Sequence, residues 1–329
     1  MRSFVWVAAT ASLAAPAWAE APKVVTDIAP VHSLVAQVMQ GVGAPTMLID
    51  PGASPHGYAL RPSQARALSD ADAVFWIGEA LTPWMEQPME SLAAQAVSVE
   101  LLELEATLKL EFRETATFEG HDHDEAHGHD DHDDHDKHGH DDHDDHDDHD
   151  KHGHDDHAHD GVDPHAWLDP VNAIVWTQAI ADELSRLDPE NAGAYAKNAA
   201  AGIEAIEALS AQLAQDLDAA HDLRFVVFHD AYHYFENRFG LAATGAISVG
   251  DAVDPSAARV AEVRDAVSET GVTCVFAEPQ FNPGLIRAVS ESGVKVAQID
   301  PLGVGLDLGP EHYGQTMRKL SASILGCLE

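Results

Sequence analysis

The chain has 329 residues and a formal net charge of −38, from 56 acidic and 18 basic residues. Residues 121–160 hold 18 acidic residues and 2 lysines, a charge of −16, which leaves −22 for the rest of the chain. This acidity argues against nucleic acid as a partner, because phosphate binding needs basic patches. The length exceeds that at which a single hydrophobic core stops growing, so two lobes are expected.

Residues 1–19 have the pattern of a secretory signal peptide. Arg2 precedes an apolar run over 4–15, and Ala17-Trp18-Ala19 supplies small residues at a cleavage site. The run is too short to cross a bilayer of about 30 Å as a helix, and no later window contains the roughly 20 apolar residues that a span requires. No cysteine lies near the cleavage point to carry a lipid. We therefore expect cleavage near Ala19 and a soluble protein in the periplasm.

After the signal peptide, β-branched strands alternate with segments whose apolar residues repeat at helical spacing. Strands are predicted over 23–28, 46–49, 73–77 and 96–99. Helices are predicted over 31–39, 62–68 and 83–92. This alternation is typical of half of an α/β protein.

A similar alternation resumes after two helices in the middle of the chain. The first helix is predicted over 171–187, and the second begins at Pro189 and runs toward Ala220. Later strands are predicted over 224–228, 242–247, 273–276 and 294–299, and helices over 231–239, 256–269, 283–290 and 310–325. A helix of about 30 residues reaches roughly 45 Å, enough to run along two lobes, although an ordinary surface helix fits the pattern equally well.

These elements predict four segments. Residues 1–19 are the signal peptide, and 20–188 form an N-terminal α/β lobe that includes a disordered His/Asp-rich loop over 119–161. Residues 189–221 form the long connecting helix, and 222–329 form a C-terminal α/β lobe.

Residues 121–160 form a tract in which histidine alternates with aspartate and glycine. It contains 15 of the 22 histidines of the chain and repeats one octet at 136 and at 150. Without apolar residues to anchor it, the tract is expected to be disordered when free of metal. An inert insert or an affinity tag is the alternative, but tags lie at a terminus and are unmixed histidine. We predict weak zinc sites on its histidines, which are His121, His123, His127, His129, His132, His135, His138, His140, His143, His146, His149, His152, His154, His157 and His159.

Three histidines outside the tract, and one aspartate, lie at predicted strand ends or helix starts. His56 follows the second strand in a proline-rich loop, His165 precedes a helix, His229 ends a strand, and Asp300 ends the last strand. Ligands of α/β sheets collect beyond the carboxyl ends of the strands. Three imidazoles with one carboxylate or water complete a tetrahedral Zn²⁺ site.

Cys274 and Cys327 are the only cysteines. An oxidising compartment permits them to form a disulfide, and two buried thiols are the alternative.

The chain resembles the zinc-type (ZnuA-like) metal solute-binding proteins of ABC importers. The resemblance covers essentially the whole mature chain. Its motifs are Pro51-Gly-Ala-Ser-Pro-His56, the acidic His-rich insertion before Asp163-Pro-His165, Trp167-Leu-Asp-Pro170, Phe228-His229-Asp-Ala-Tyr232 and Asp300-Pro-Leu-Gly303. It implies the metal-specific periplasmic binding protein fold, in which one long rigid helix joins two α/β lobes and the metal lies between them.

The resemblance also implies roles for individual residues. The three family histidines correspond to His56, His165 and His229, and the family carboxylate to Asp300, with water or another carboxylate as the alternative fourth ligand. Manganese-type relatives carry glutamate where this chain has His229, and imidazole favours zinc over manganese. Cys274 and Cys327 correspond to a pair that is often a disulfide. His233 and His312 are expected to be surface or packing residues.

The implied function is transport rather than catalysis. The protein would bind Zn²⁺ with high affinity as its transported ligand and deliver it, as a monomer, to an inner-membrane ABC permease with its ATPase. The His-rich loop would collect or sense zinc, and periplasmic zinc chaperones are further candidate partners. Alternatives are a periplasmic zinc buffer or adhesin, or a Mn²⁺-type protein on the same scaffold. A zinc enzyme is disfavoured, because the sequence has neither His-Glu-x-x-His nor Gly-x-Ser-x-Gly.

Overall fold

A computed structural model describes residues 20–113, 115–118, 161–248, 256–279 and 294–329. Within these ranges the chain forms two sheets of four parallel strands. The first sheet has the order β2-β1-β3-β4 and comprises β1 (Val24–Thr26), β2 (Thr46–Met47), β3 (Ala73–Trp76) and β4 (Val97–Glu100). The second has the order β6-β5-β7-β8 and comprises β5 (Phe225–His229), β6 (Ala243–Ser248), β7 (Cys274–Ala277) and β8 (Lys295–Gln298). The predicted pair of α/β lobes is confirmed.

Helices connect the strands of both sheets. The α-helices are α1 (Ala29–Val38), α2 (Pro62–Ser69), α3 (Glu86–Leu92), α4 (Pro170–Leu187), α5 (Ala192–Leu217), α6 (His233–Phe239), α7 (Ala257–Glu269) and α8 (His312–Leu325). Short 3₁₀ helices span Pro83–Met85, Ala166–Leu168 and Asp218–Ala220. The segment predicted as a helix over 83–92 is therefore divided between a 3₁₀ turn and α3. The helix predicted over 283–290 lies outside the described residues, as do the signal peptide and the tract.

The long helix α5 links the two lobes. Its 26 residues extend for about 39 Å at 1.5 Å per residue. It packs against α1 and α4 of the first lobe and against α8 of the second. At Gly202 a β-carbon would lie 2.5 Å from Oε1 of Gln37, so the Gln37 side chain of α1 occupies the space beside this glycine. The linking helix is confirmed, although it begins at Ala192 rather than at Pro189.

The lobes also contact each other directly. One hydrophobic core cluster contains residues of both sheets, including Val24 and Phe225. The indole of Trp167 donates to the carbonyl of Pro301 at 2.9 Å, and Oη of Tyr313 donates to the carbonyl of Trp167 at 3.1 Å. These bonds lie beside the 3₁₀ turn that follows His165, so the two lobes together fix its position.

Cys274, the first residue of β7, is bonded to Cys327 beyond the end of α8, with 6.1 Å between their Cα atoms. The disulfide implied by the family resemblance is confirmed. It fastens the last helix to the amino end of a central strand of the second sheet.

None of the helices in the described ranges combines the length and the apolar character needed to cross a membrane.

Candidate metal centre

Three histidines from distant parts of the chain meet in the cleft between the lobes. Nε2 of His165 lies 3.2 Å from Nε2 of His229. With His56 they form a group in which one ligand nitrogen from each ring lies within 4.8 Å of the others. The ring centroid of His56 is 5.7 Å from that of His165 and 6.5 Å from that of His229. The structure thus brings together the three histidines predicted from the sequence.

Parallel strands explain this convergence. His229 is the last residue of β5, and His56 lies in the loop that follows β2, so both project from carboxyl ends of strands. His165 reaches the same cleft from the other direction, because it immediately precedes the 3₁₀ turn and α4. His165 and His229 are buried, with 3% and 2% of their surface exposed, whereas His56 is half-buried. The His56 side of the cleft is therefore the side nearer to solvent.

Two buried carboxylates orient the two buried rings. Oδ1 of Asp163 lies 2.7 Å from Nδ1 of His165, and Oε1 of Glu278 lies 2.8 Å from Nδ1 of His229. A carboxylate on Nδ1 fixes the proton there and leaves the lone pair of Nε2 directed at the shared point. Burial raises the pKa of Asp163 to about 7, against a usual value near 3.8. The centre therefore includes two orienting carboxylates as well as three imidazoles.

Sequence reasoning did not identify Glu278 as part of the centre. Only the position of Glu278 could have indicated this role. It follows β7, which pairs directly with β5 and ends at the same edge of the sheet. Asp163 belongs to the motif Asp163-Pro-His165, but the motif alone does not show that this aspartate orients the imidazole.

The loop that carries His56 is held by aromatic and polar contacts of the first lobe. The indole of Trp84 donates to the carbonyl of Pro55 at 2.7 Å, immediately before His56. The ring of Tyr58 packs on Trp84 at 5.7 Å between centroids, and its hydroxyl donates to Asp50 at 2.8 Å. The backbone on both sides of His56 is thereby restrained.

Asp300 is not a member of the histidine group. It is buried, and its Oδ1 accepts hydrogen bonds from the backbone N–H groups of Leu302 at 2.9 Å and Gly303 at 3.1 Å. Its Oδ2 accepts from the N–H of Val304. The carboxylate thus closes the turn that follows β8, and its role as a ligand stays a prediction.

The other histidines in the described part of the chain lie outside the group. His312 is buried at the start of α8, with Nε2 2.8 Å from the carbonyl oxygen of Leu302, which is a packing role. His32 lies on α1, His221 is exposed after the 3₁₀ turn that ends α5, and His233 begins α6. The predicted ligands of the tract lie outside the described residues.

Comparisons with known proteins agree with this architecture. Residues 24–327 match the family model for zinc-uptake complex component A, periplasmic. The high-affinity zinc uptake system protein ZnuA of Paracoccus denitrificans (strain Pd 1222) is 48% identical, over 99% of this chain and 98% of that protein. The protein of the same name from Brucella abortus (strain 2308) is 42% identical, over 93% and 91%. Among solved structures, a mutant of the laminin-binding adhesin Lmb from Streptococcus agalactiae has a TM-score of 0.70 at 25% identity, covering 94% of this chain and all of that one. The matches extend over both lobes.

Proposed function

Because this chain belongs to the zinc-uptake complex component A family, we propose that it captures Zn²⁺ in the periplasm and delivers it to an ABC permease in the inner membrane. Secretion through a signal peptide cleaved near Ala19 would place it there. The ATPase bound to the permease would drive import, and periplasmic zinc chaperones are further candidate partners. The names of the relatives support uptake rather than catalysis.

The main support for this proposal is the distance between two imidazole nitrogens, one from His165 and one from His229. Zinc–nitrogen bonds of about 2.0–2.1 Å in a tetrahedral site place two ligand nitrogens about 3.3 Å apart. Nε2 of His165 and Nε2 of His229 are 3.2 Å apart. This spacing fits two ligands of one ion, and it needs a bound ion or a shared proton to offset the repulsion of two lone pairs. His56 supplies the third nitrogen from the more exposed side.

The donor set favours zinc over manganese. Imidazole suits Zn²⁺, whereas Mn²⁺ prefers carboxylate and water oxygen. Both carboxylates beside the buried rings, Asp163 and Glu278, face Nδ1 atoms rather than the shared point. The arrangement therefore argues against a manganese-type protein on the same scaffold.

Two donors compete for the fourth position, Asp300 and a water molecule. Asp300 already accepts hydrogen bonds from three backbone N–H groups of the turn, so it would bind a metal ion either with a remaining lone pair or in exchange for one of these bonds. Water needs no rearrangement of the turn. We retain Asp300 as a proposed ligand of the loaded state, with water as the alternative.

A strain that lacks this protein is expected to fail to grow when zinc is limiting and to recover when zinc is added. Growth and accumulation of radioactive ⁶⁵Zn would be measured, with the wild-type gene restored as the positive control. A strain that carries the His229→Ala variant is the matched control, because it makes the protein without an intact centre. Normal zinc accumulation in the deletion strain would contradict import and favour a periplasmic buffer or an adhesin.

The tract is proposed to gather zinc weakly near the cleft. Its histidines and carboxylates would raise the concentration of Zn²⁺ at the tight site, since both belong to one chain. Deletion of residues 121–160 is expected to abolish the weak sites and to change the dissociation constant of the tight site by less than about threefold, because none of the three converging histidines is removed. Isothermal titration calorimetry would count both classes of site.

A variant with all 15 tract histidines changed to asparagine is the matched control for the deletion, because it keeps the length and the carboxylates. Loss of the tight site in either variant would overturn this division between weak collection and tight binding.

A further inference from the structure

The segments that flank the tract pair with each other and form a stem. We define the stem by its incoming arm, residues 110–113 and 115–118, and its outgoing arm, residues 161–163. The N–H of Asp163 donates to the carbonyl of Leu110 at 2.8 Å, and the N–H of Phe112 donates to the carbonyl of Gly161 at 3.2 Å. An antiparallel bridge joins Glu111 to Val162. Backbone pairing therefore holds the two arms of the stem together.

The end of the incoming arm attaches to the second lobe. The N–H of Phe118 donates to the carbonyl of Thr244 at 2.8 Å, and the N–H of Ala246 donates to the carbonyl of Ala116 at 3.0 Å. These bonds add the arm to the outer edge of β6 in antiparallel sense. Gly245 is required at this contact, because a β-carbon there would lie 2.3 Å from the carbonyl oxygen of Ala116. The stem is thus fixed to the sheet that carries His229.

Arg113 lies at the centre of the stem and pairs with two buried carboxylates. Its Nε donates to Oδ2 of Asp230 at 3.0 Å and its Nη2 donates to Oδ1 of the same residue. Its Nη1 and Nη2 donate to the two carboxylate oxygens of Glu236, both at 2.9 Å. The guanidinium also lies 3.8 Å from the ring centroid of Phe118. The two carboxylate side chains are only 2% and 4% exposed, so one cation serves two buried anions.

Through these contacts Arg113 is connected to both buried histidines of the metal centre, His165 and His229. Asp230 is the residue after His229, so its position sets the end of β5. Asp163 ends the outgoing arm, and its Oδ1 accepts from the backbone N–H of His165 at 2.9 Å and also faces the imidazole of that residue. The hydroxyl of Tyr234 on α6 fastens the same place, because it donates to the carbonyl of Asp163 and accepts from the N–H of Leu110. The side chain of Arg113 therefore joins the two backbone segments that carry His165 and His229.

We propose that Arg113 is a positioning residue of the metal centre, which holds the stem against the residue after His229 and so sets the spacing of the two buried imidazoles. This inference rests on the proposed function, because it assumes that the imidazoles bind zinc. Only arginine can form two bidentate ion pairs at once, because its planar guanidinium presents several N–H donors in fixed directions. Lysine offers a single point charge without that geometry. Without Arg113, two buried carboxylates would repel each other and draw water or protons into the base of the site.

The test compares full-length variants in a chelator-competition titration with zinc, at a temperature well below the melting point of each metal-free variant. Arg113→Lys keeps the charge and is expected to raise the dissociation constant about 10- to 100-fold, the range typical of groups that orient metal ligands. The triple variant Arg113→Met, Asp230→Asn, Glu236→Gln removes the buried charges together. It is expected to weaken binding similarly, and it decides the matter if Arg113→Lys does not fold.

Arg238→Lys is the matched control. Arg238 also forms a bidentate pair with a buried carboxylate, donating to Asp169 at 2.7 Å from both Nε and Nη2. Among the described residues, these bonds join Arg238 to the start of α4 and not to the stem. Its dissociation constant is expected to stay within about threefold of the wild type. The visible spectrum of protein loaded with one equivalent of Co²⁺ should change in the Arg113 variants and not in the control, because the spectrum reports ligand geometry.

Tight zinc binding by the wild type, combined with equally tight binding and an unchanged Co²⁺ spectrum in the Arg113 variants, would overturn the inference. If the wild type itself has no tight site, the proposed function fails instead. The two failures are thereby distinguished in one set of titrations.

Discussion

Replacing His229 with alanine is expected to raise the dissociation constant for zinc at the tight site about 100- to 1000-fold. Apparent zinc-binding free energies of about 10–16 kcal/mol, shared among four ligands, give about 2.5–4 kcal/mol for each ligand. His229 is 2% exposed, and its Nε2 lies 3.2 Å from that of His165. A water molecule that replaced this imidazole as a zinc ligand would be a weaker donor, so zinc would bind less tightly. Competition with a zinc chelator would measure the loss, and His56→Ala and His165→Ala should give losses of the same order.

Two further variants bracket this result. His221→Ala should leave the dissociation constant unchanged, because His221 is exposed and precedes the amino end of β5, whereas His229 ends the strand. Glu278→Gln should cause a smaller loss of about 10- to 100-fold, since it changes the group that orients His229 and not a ligand. If the His229→Ala variant kept the zinc affinity of the wild type, His229 would not be a ligand.

Asp300→Ala in the same titrations decides the fourth ligand. A loss as large as that of the histidine variants would identify Asp300 as a donor in the loaded state. A change below about threefold would leave the fourth position to water, and the carboxylate would then serve only the turn formed by Leu302, Gly303 and Val304.

The positions of His56 and His229 could be predicted because they follow from strand direction, whereas His165 precedes a helix. Parallel strands deliver their carboxyl ends to one edge of each sheet, so the histidine that ends β5 and the one in the loop after β2 lie at the edges where ligands collect. Glu278 obeys the same rule, but a lone glutamate after a strand is common. Only its 2.8 Å contact with Nδ1 of His229 separates it from other carboxylates.

Other features depend on contacts that no local pattern reports. Arg113 and Asp230 are separated by 117 residues, and nothing in the sequence around either residue specifies the other as its partner. Asp300 also carries a local sequence signal for a turn. An aspartate before Pro-Leu-Gly commonly accepts hydrogen bonds from the turn that it begins, and the structure shows this bonding.

The fold itself was largely predictable, because the spacing of apolar residues along the chain switches between the period of a strand and that of a helix. The boundaries were less so. The strand predicted over 46–49 is assigned only over Thr46–Met47, although the N–H groups of Leu48 and Ile49 continue to donate to the carbonyls of Thr26 and Asp27. Hydrophobic periodicity reports burial, which persists beyond the point where regular strand pairing ends.

Removing the disulfide is expected to lower the free energy of unfolding by about 2–4 kcal/mol. Cys274 and Cys327 are 53 residues apart, and the chain-entropy description gives about 4 kcal/mol for a loop of that length. The variant Cys274→Ala, Cys327→Ala avoids placing a hydroxyl in the core, since Cys274 is fully buried. Urea unfolding of the metal-free protein, followed by circular dichroism, would measure the difference.

Zinc affinity should barely respond to the same change. Cys274 opens β7 and Glu278 follows its other end, about 13 Å away at 3.3 Å per residue, so the bond and the metal centre lie at opposite ends of one strand. Wild-type protein treated with a thiol reductant is the matched control, because it loses the bond without loss of side-chain volume. We expect both forms to bind zinc within about threefold of the oxidised wild type. A dissociation constant that rises more than tenfold while the protein remains folded would mean that tension at the amino end of β7 reaches Glu278 and the ring of His229.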